Sequence, residues 1–277
     1  MWNRINEAAG YLRSLPGPAP VAGIVLGTGL GGLTQQIVNQ TVIPYGDIPG
    51  FPPTTVEGHS GNLIFGQLAG LPVVAMQGRF HYYEGYPMEQ VAFPIRVLKI
   101  LGIKQLFLSN AAGGINPAFG VGDLMVIRDH INFFPESPLR GPNIEELGPR
   151  FPDMTEPYDQ KLINLAHQTA EKLGFPLREG VYVGNPGPSF ETPAEYLHYR
   201  IIGGDAIGMS TIPEVIVARH MELPVFGVSV ITNVNIPGSF EKNSHEDVQE
   251  AASRAGSRLI ALFAGLLPVS PYSPTFA

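Results

Sequence analysis

Short apolar runs alternate along this chain with segments of helical period, and no other feature narrows the possible architectures as much. Val21–Leu26, Asn62–Leu68, Pro72–Met76, Gln105–Ser109, Asp123–Ile127, Gly180–Val183 and Pro224–Ile231 are rich in β-branched residues and bounded by Gly, Pro or Asn, the pattern of strands. Asp159–Leu173 carries Leu162, Leu165, Ala166, Thr169 and Leu173 at helical spacing, with Gly174 following as a C-cap. Ala194–Ile202, Pro213–Met221 and Asp247–Leu267 read as further helices, the last with Val248, Ala252, Ala255, Leu259, Leu262 and Leu266 on one face. Strands interleaved with helices predict an α/β fold around a parallel or mixed sheet. Phe133–Thr155 is polar, rich in Pro and Gly, and too long for a plain connection. The strand patterns on either side of it are alike, so it is read as a loop inside one domain spanning residues 1–277, with an irregular tail after about residue 268.

A composition of 44% hydrophobic and 15% charged residues is enough for a sizeable core. The formal charge of −7 excludes an overall basic field that would draw nucleic acid or an anionic membrane. An anionic ligand therefore needs a local site. Without cysteine there are no disulfides, no thiolate chemistry and no Cys-based metal sites. Met1–Leu12 lacks the apolar segment of a signal peptide, and the longest apolar stretch, Leu259–Val269, is well short of the ~20 residues of a membrane span. The chain is expected to be cytoplasmic, with neither a membrane nor a nucleic acid as partner.

Gly27-Thr28-Gly29-Leu30-Gly31-Gly32 follows the first strand. A glycine loop leaving a buried strand lets backbone N–H groups come close to an anion. The same run fits the dinucleotide pattern G-x-G-x-x-G, and Asp47 stands where a ribose-binding acid would, so an NAD(P)-dependent oxidoreductase is one reading. Against it, the span from Gly32 to Thr41–Ile43 is short for a crossover helix, and Pro44 interrupts the next run. A plain turn that needs glycine at positive φ is a third reading.

Gln77–Tyr86 brings Arg79, His81, Tyr82, Tyr83 and Tyr86 to a strand end, where open α/β sheets bind ligands. The planar fork of Arg79 suits phosphate, and His81 adds a donor. The competing reading pairs Arg79 with Glu84 and packs the tyrosines at a core edge. Ser109–Gly114 reads as a tight turn. Gly187–Glu195 and Gly208–Glu214 each enter a helix, with Thr192 and Ser210 as N-caps, Pro193 and Pro213 in first turns, and Glu195 and Glu214 stabilising helix N-termini. Glu191 precedes its helix beside Phe190, where a carboxylate can face a ligand. Asn233 and Asn235 end the strand Pro224–Ile231, as ligand groups or turn residues. His130 is assigned to a backbone partner and His167, His198 and His220 to structural or solvated positions. No His/Asp/Glu spacing suggests a metal site.

GTGLGG, QGRFHYYEGY, SNAAGGINP, RFPDM, GPSFETPAE, GMSTIPEV and ITN, in this order, resemble the trimeric purine nucleoside phosphorylases from about Val21 to Leu267. The resemblance implies a single α/β domain with a mixed, partly barrel-like central sheet flanked by helices. It implies phosphorolysis of inosine, guanosine and their 2′-deoxy forms to purine base and (deoxy)ribose 1-phosphate, in purine salvage, by a homotrimer. No metal or organic cofactor is implied; inorganic phosphate is a co-substrate. Carried over by motif, phosphate falls to Thr28, Arg79, His81, Ser210 and the backbone of Ala111, with His59 nearby. Ribose falls to Tyr83, Met209 and His245, with Phe151 from a neighbouring subunit, and the base to Phe190, Glu191 and Asn233. His81, Glu191 and Asn233 are the expected catalytic groups. Relatives carry Ser where Thr28 stands, and some carry Lys where Val234 stands. The nearest alternative is methylthioadenosine phosphorylase, a sister activity on the same fold, whose adenine-handling members tend to place Asp where Asn233 stands.

Overall fold

Strands with no polar face belong in the middle of a sheet that is covered on both sides. The computed structural model describes residues 1–56, 60–236, 240 and 244–274. In it, β1 (Ala22–Leu26) is buried along its whole length and runs parallel to two neighbours. On one side β4 (Leu71–Gln77) continues antiparallel into β3 (Asn62–Leu68), and the largely exposed β2 (Val38–Pro44) forms the edge. On the other side β5 (Gln105–Gly114) pairs with both β8 (Ala206–Gly208) and β9 (Val225–Val234). The remaining strands, β6 (Leu124–Asn132) and β7 (Arg178–Gly184), complete the order β2-β3-β4-β1-β5-β8-β7-β6-β9. Because β9 returns to β5, the last five strands close into a ring and the first four form an open wing. The mixed, partly barrel-like sheet is as expected.

The tight turn expected at Ser109–Gly114 is not there: β5 runs on to Gly114, with its register against β9 shifting between Ala112 and Gly113. Small side chains allow this bend. A Cβ on Gly114 would stand 3.0 Å from the Ile231 side chain. β5 pairs with β1 only as far as Leu108, and with β8 only from Gly113. The sheet splits between those points, and such a split is where open α/β sheets accept ligands.

Helices cover the sheet. α1 (Trp2–Arg13), α2 (Met88–Val91) and α3 (Phe93–Leu101) were not anticipated. α4 (Gln160–Leu173) is capped by Asp159, which accepts from Leu162 N at 2.9 Å, and ends, as its sequence predicts, at Gly174 with φ 77°. α5 (Pro193–Ile201) opens on a capping box of Thr192 and Glu195. α6 (Ile212–His220) follows β8. α7 (His245–Leu266) buries Ala252, Ala255, Leu259, Leu262, Phe263 and Leu266, and Phe263 meets Phe107 and Phe226 at ring-centroid distances of 5.2 and 6.1 Å. After the glycine loop comes a 3-10 turn (Gly31–Gln36) and then β2, so the crossover helix of a dinucleotide-binding unit is missing and Asp47 is exposed on a short turn. Residues 133–155 form neither helix nor strand. Among the described residues no helix is long and apolar enough to cross a membrane.

Candidate active site

The split in the sheet opens into a cavity of about 450 Å³. At one end the backbones of β1 and β5 nearly touch. A Cβ on Gly27 would lie 2.8 Å from Asn110 Cα and 2.9 Å from the Ser109 carbonyl, so glycine is required there by close approach. Thr28 follows on the cavity wall, and Gly29 turns the chain with φ 73°.

Arg79, just past β4, is almost fully buried. Its Nε donates to Glu214 Oε1 at 2.9 Å and its Nη1 to the Ser109 carbonyl at 2.6 Å. The reading that pairs Arg79 with Glu84 is therefore replaced. Glu214, expected only to stabilise the start of α6, is itself buried against Arg79, and its Oε2 has no hydrogen bond among the described residues. Glu84 instead binds the loop that carries His81. It accepts from His81 N at 2.7 Å, from Thr55 N at 3.0 Å and from Thr55 Oγ1 at 2.6 Å, and lies 3.1 Å from His81 Nδ1. Burial pushes the Glu84 carboxyl up, but the hydrogen bonds from His81 and Thr55 outweigh it and hold the group at about 2. A carboxylate can only accept, so the His81 proton sits on Nδ1. Burial lowers the pKa of His81 against the opposing pull of Glu84, leaving the ring neutral at pH 7 with Nε2 as its acceptor. The ring stacks on Tyr83 at 4.7 Å.

Ser210 is not an N-cap. That position of α6 belongs to Thr211, whose φ and ψ are 72° and −53°. Ile212 N donates to the Ser210 carbonyl at 2.8 Å, closing a γ-turn with positive φ, a conformation that costs a non-glycine residue roughly 1–3 kcal/mol. Below it, the Ser210 N–H donates to Tyr182 Oη at 3.3 Å; burial pushes that phenol up to about 12.

At the other end of the cavity, Glu191 Oε1 accepts from Asn185 Nδ2 at 2.7 Å, and Asn233 Oδ1 accepts from Thr232 Oγ1 at 3.1 Å. Each group is thus oriented by a neighbour. Tyr196 lies between them, its phenol raised first by burial and then by the Glu191 charge. Tyr83 and Met209 also line the cavity. Gly187 makes room for both, since a Cβ there would fall 2.4 Å from Met209 Sδ.

The sequence profile of the phosphorylase superfamily matches residues 22–268. Purine nucleoside phosphorylase 1 of Geobacillus stearothermophilus is 52% identical over 250 residues, covering 90% of this chain and 91% of that protein. The purine nucleoside phosphorylase of Rattus norvegicus is 48% identical over 261 residues, 92% of this chain and 90% of its own. This chain belongs to the purine nucleoside phosphorylase family. A crystal structure of the Schistosoma mansoni purine nucleoside phosphorylase in complex with inosine has the same fold, with a TM-score of 0.92 at 43% identity and 97% of both chains covered.

Most residues that the purine nucleoside phosphorylase motifs singled out come together. Thr28, Arg79, His81, Tyr83, Ala111, Phe190, Glu191, Met209, Ser210, Asn233 and His245 all line the one cavity. Phe151 does not: it is 87% exposed on the long loop, with the Arg150 guanidinium 5.9 Å from its ring centre. His59 lies outside the described residues. Asn110 and Tyr196 line the cavity without having been anticipated. Asn110 was hidden in the supposed turn, and Tyr196 in the first turn of α5. His130 faces the Tyr158 hydroxyl at 3.2 Å, a side chain where a backbone partner was expected. Among the described residues no three His, Asp or Glu side chains are grouped to hold a metal ion.

Proposed function

We propose that the cavity performs phosphorolysis of 6-oxopurine nucleosides such as inosine and guanosine, in purine salvage. The observation that carries this reading is the polarity of a single continuous space. One end holds a buried guanidinium, two hydroxyls and the backbone at Ala111; the other holds an oriented carboxylate and an oriented amide. Phosphate suits the first end and a purine the second. Relatives from Schistosoma have been crystallised with inosine, with guanosine and with adenosine.

In this reading Thr28, Arg79, Ser210 and the Ala111 backbone donate to phosphate beneath the anomeric carbon, and His81 Nε2 accepts from its protonated oxygen. Tyr83, Met209 and His245 hold the ribose, and Phe190, Glu191 and Asn233 the base. The C1′–N9 bond breaks, a phosphate oxygen bonds to C1′ with inversion, and the sugar passes through an oxocarbenium-like state beside the anion. Holding phosphate in line is worth ~7–11 kcal/mol. Asn233 Oδ1 accepts from N7 as the departing base takes up a proton, and its Nδ2 donates to the 6-oxo group. Glu191 accepts from the ring N–H beside that group. Adenine would offer an amino group to the amide donor and a bare nitrogen to the carboxylate, a mismatch worth factors of ~10⁴ in good cases. The same mismatch disfavours methylthioadenosine. Nucleoside and phosphate alone balance the reaction, so no cofactor is proposed. We also propose a homotrimer, with Phe151 completing a neighbour's ribose site. Its exposed aromatic surface in a polar loop supports this.

The test is inosine cleavage with and without phosphate. Cleavage is expected only with phosphate, giving ribose 1-phosphate; equal rates in its absence would identify a hydrolase and overturn the reading.

A further inference from the structure

Four non-glycine residues among those described have positive φ: Asn39, Ala69, Glu222 and Thr211. The first three are exposed, whereas Thr211 is fully buried, β-branched and next to the cavity residue Ser210. Glycine would adopt this conformation without strain. What threonine contributes is therefore its side chain. Thr211 Oγ1 accepts from Asn110 Nδ2 at 2.8 Å and lies 3.0 Å from Ser210 Oγ. Asn110 is itself buried on β5, directly before Ala111.

We propose that Thr211 is a positioning residue for the anion end of the cavity, the middle of a donor chain running from Asn110 Nδ2–H through Thr211 Oγ1–H and Ser210 Oγ–H to a phosphate oxygen. This rests on the phosphorolysis reading. The Asn110 N–H occupies a lone pair of Thr211 Oγ1 and turns the threonine proton toward Ser210. Ser210 Oγ then accepts, and its own proton faces the cavity. If the pair ran the other way, Ser210 would donate to Thr211 and present a lone pair to the anion, which repels it. Ordered hydroxyl chains also polarise one another, so each link strengthens the next. The Tyr182 hydroxyl holds the Ser210 backbone from below, which leaves hydroxyl direction as the variable that Thr211 sets. The strained turn brings Thr211 Oγ1 between β5 and Ser210, so strain and donor chain are one device.

Three variants separate the hydroxyl from the strain. Thr211→Val keeps the β-branch and removes the hydroxyl; Thr211→Ser keeps the hydroxyl; Thr211→Gly relieves the strain and removes the hydroxyl. Phosphate affinity is measured by calorimetry, and phosphate and inosine KM by steady-state kinetics. Thr211→Ser is expected to bind phosphate within about twofold of the parent. Thr211→Val and Thr211→Gly are expected to lose at least about tenfold in phosphate affinity and KM, with inosine KM changed less than about threefold. Phosphate binding within twofold of the parent in Thr211→Gly, or an equal loss in Thr211→Ser, overturns the proposal. Thr211→Gly and Thr211→Ser decide the matter if Thr211→Val fails to fold. A parent that binds no phosphate overturns the phosphorolysis reading, and this inference with it.

Discussion

Replacing Arg79 with methionine should have two effects that can be pulled apart. Glu214 is 3% exposed and its Oε1 sits 2.9 Å from Arg79 Nε. Arg79→Met strands that carboxylate, and breaking one side of a buried pair costs about 3–5 kcal/mol. At ~2.1 cal/mol/K of unfolding entropy per residue, a chain of 277 residues loses roughly 5–9 °C of melting temperature. Separately, the phosphate loses a preorganised charge, worth about 2–4 kcal/mol in the transition state, or ~30- to 900-fold in kcat/KM for phosphate. Adding Glu214→Leu removes the stranded charge. Stability should return in large part, because exchanging a whole buried pair for apolar groups is close to neutral. Recovery should stop short of the parent, since the Ser109 carbonyl has lost its Nη1 donor, a cost of about 1–3 kcal/mol. The phosphate defect should remain. The assays are thermal melting and phosphate saturation with inosine, for parent, single and double variant. If phosphate kinetics recover along with stability, Arg79 acts only through the fold and its assignment to phosphate is wrong.

Asn233→Asp should move the adenosine-to-inosine ratio of kcat/KM by at least about tenfold, mostly through lost inosine activity, because the donor to the 6-oxo group becomes an acceptor; an unchanged ratio in a folded, active variant would show that Asn233 does not meet the base. Phe151→Ala should weaken assembly and raise inosine KM, since burying a phenylalanine across an interface is worth ~1.5–3 kcal/mol. Sedimentation checks this, and a fully active monomeric parent refutes it. Glu84, held at about 2, stabilises the fold above the ordinary carboxylate range, and that contribution is lost as pH falls through about 2. The stability gap between parent and Glu84→Gln in urea should accordingly be full at pH 6 and shrink steadily toward pH 2; a gap independent of pH refutes the charged hydrogen-bond network.

Strands and helices with contrast were legible. α4 and α7 alternate buried and exposed faces, and Asp159, Gly174 and Thr192 mark their ends or that of α5. α3 was missed although Arg96 and Lys99 stand three apart in an otherwise apolar segment, because Pro94 inside it reads as a breaker where it is in fact a first-turn residue. α1 also carries a period, burying Ile5, Ala8, Ala9 and Leu12, but two of these four are alanines and give a weak apolar stripe. The short β8 has too few residues to signal anything. Within the site, the motifs named the cavity-lining residues but not their partners. Arg79 and Glu84 are close in sequence, yet the guanidinium pairs with Glu214, 135 positions away, because the loop after β4 and the first turn of α6 come together only in the folded chain. Long-range pairing of that kind leaves no trace in local spacing.

β5 belongs to the open wing through β1 and to the closed ring through β8 and β9. Fraying of the wing leaves it inside the ring, and loosening of the ring leaves it beside β1. Its amides from Leu106 to Leu108, paired to β1 on one side and β9 on the other, should therefore exchange with solvent at close to the rate of global unfolding, while the exposed edge strand β2 exchanges through small local openings. Asn110 and Ala111 follow two residues after that slowest segment on the same strand. The floor of the anion site is thus tied to the last part of the molecule to let go, and thermal breathing at the rim can admit and release ligands without disturbing the atoms beneath them.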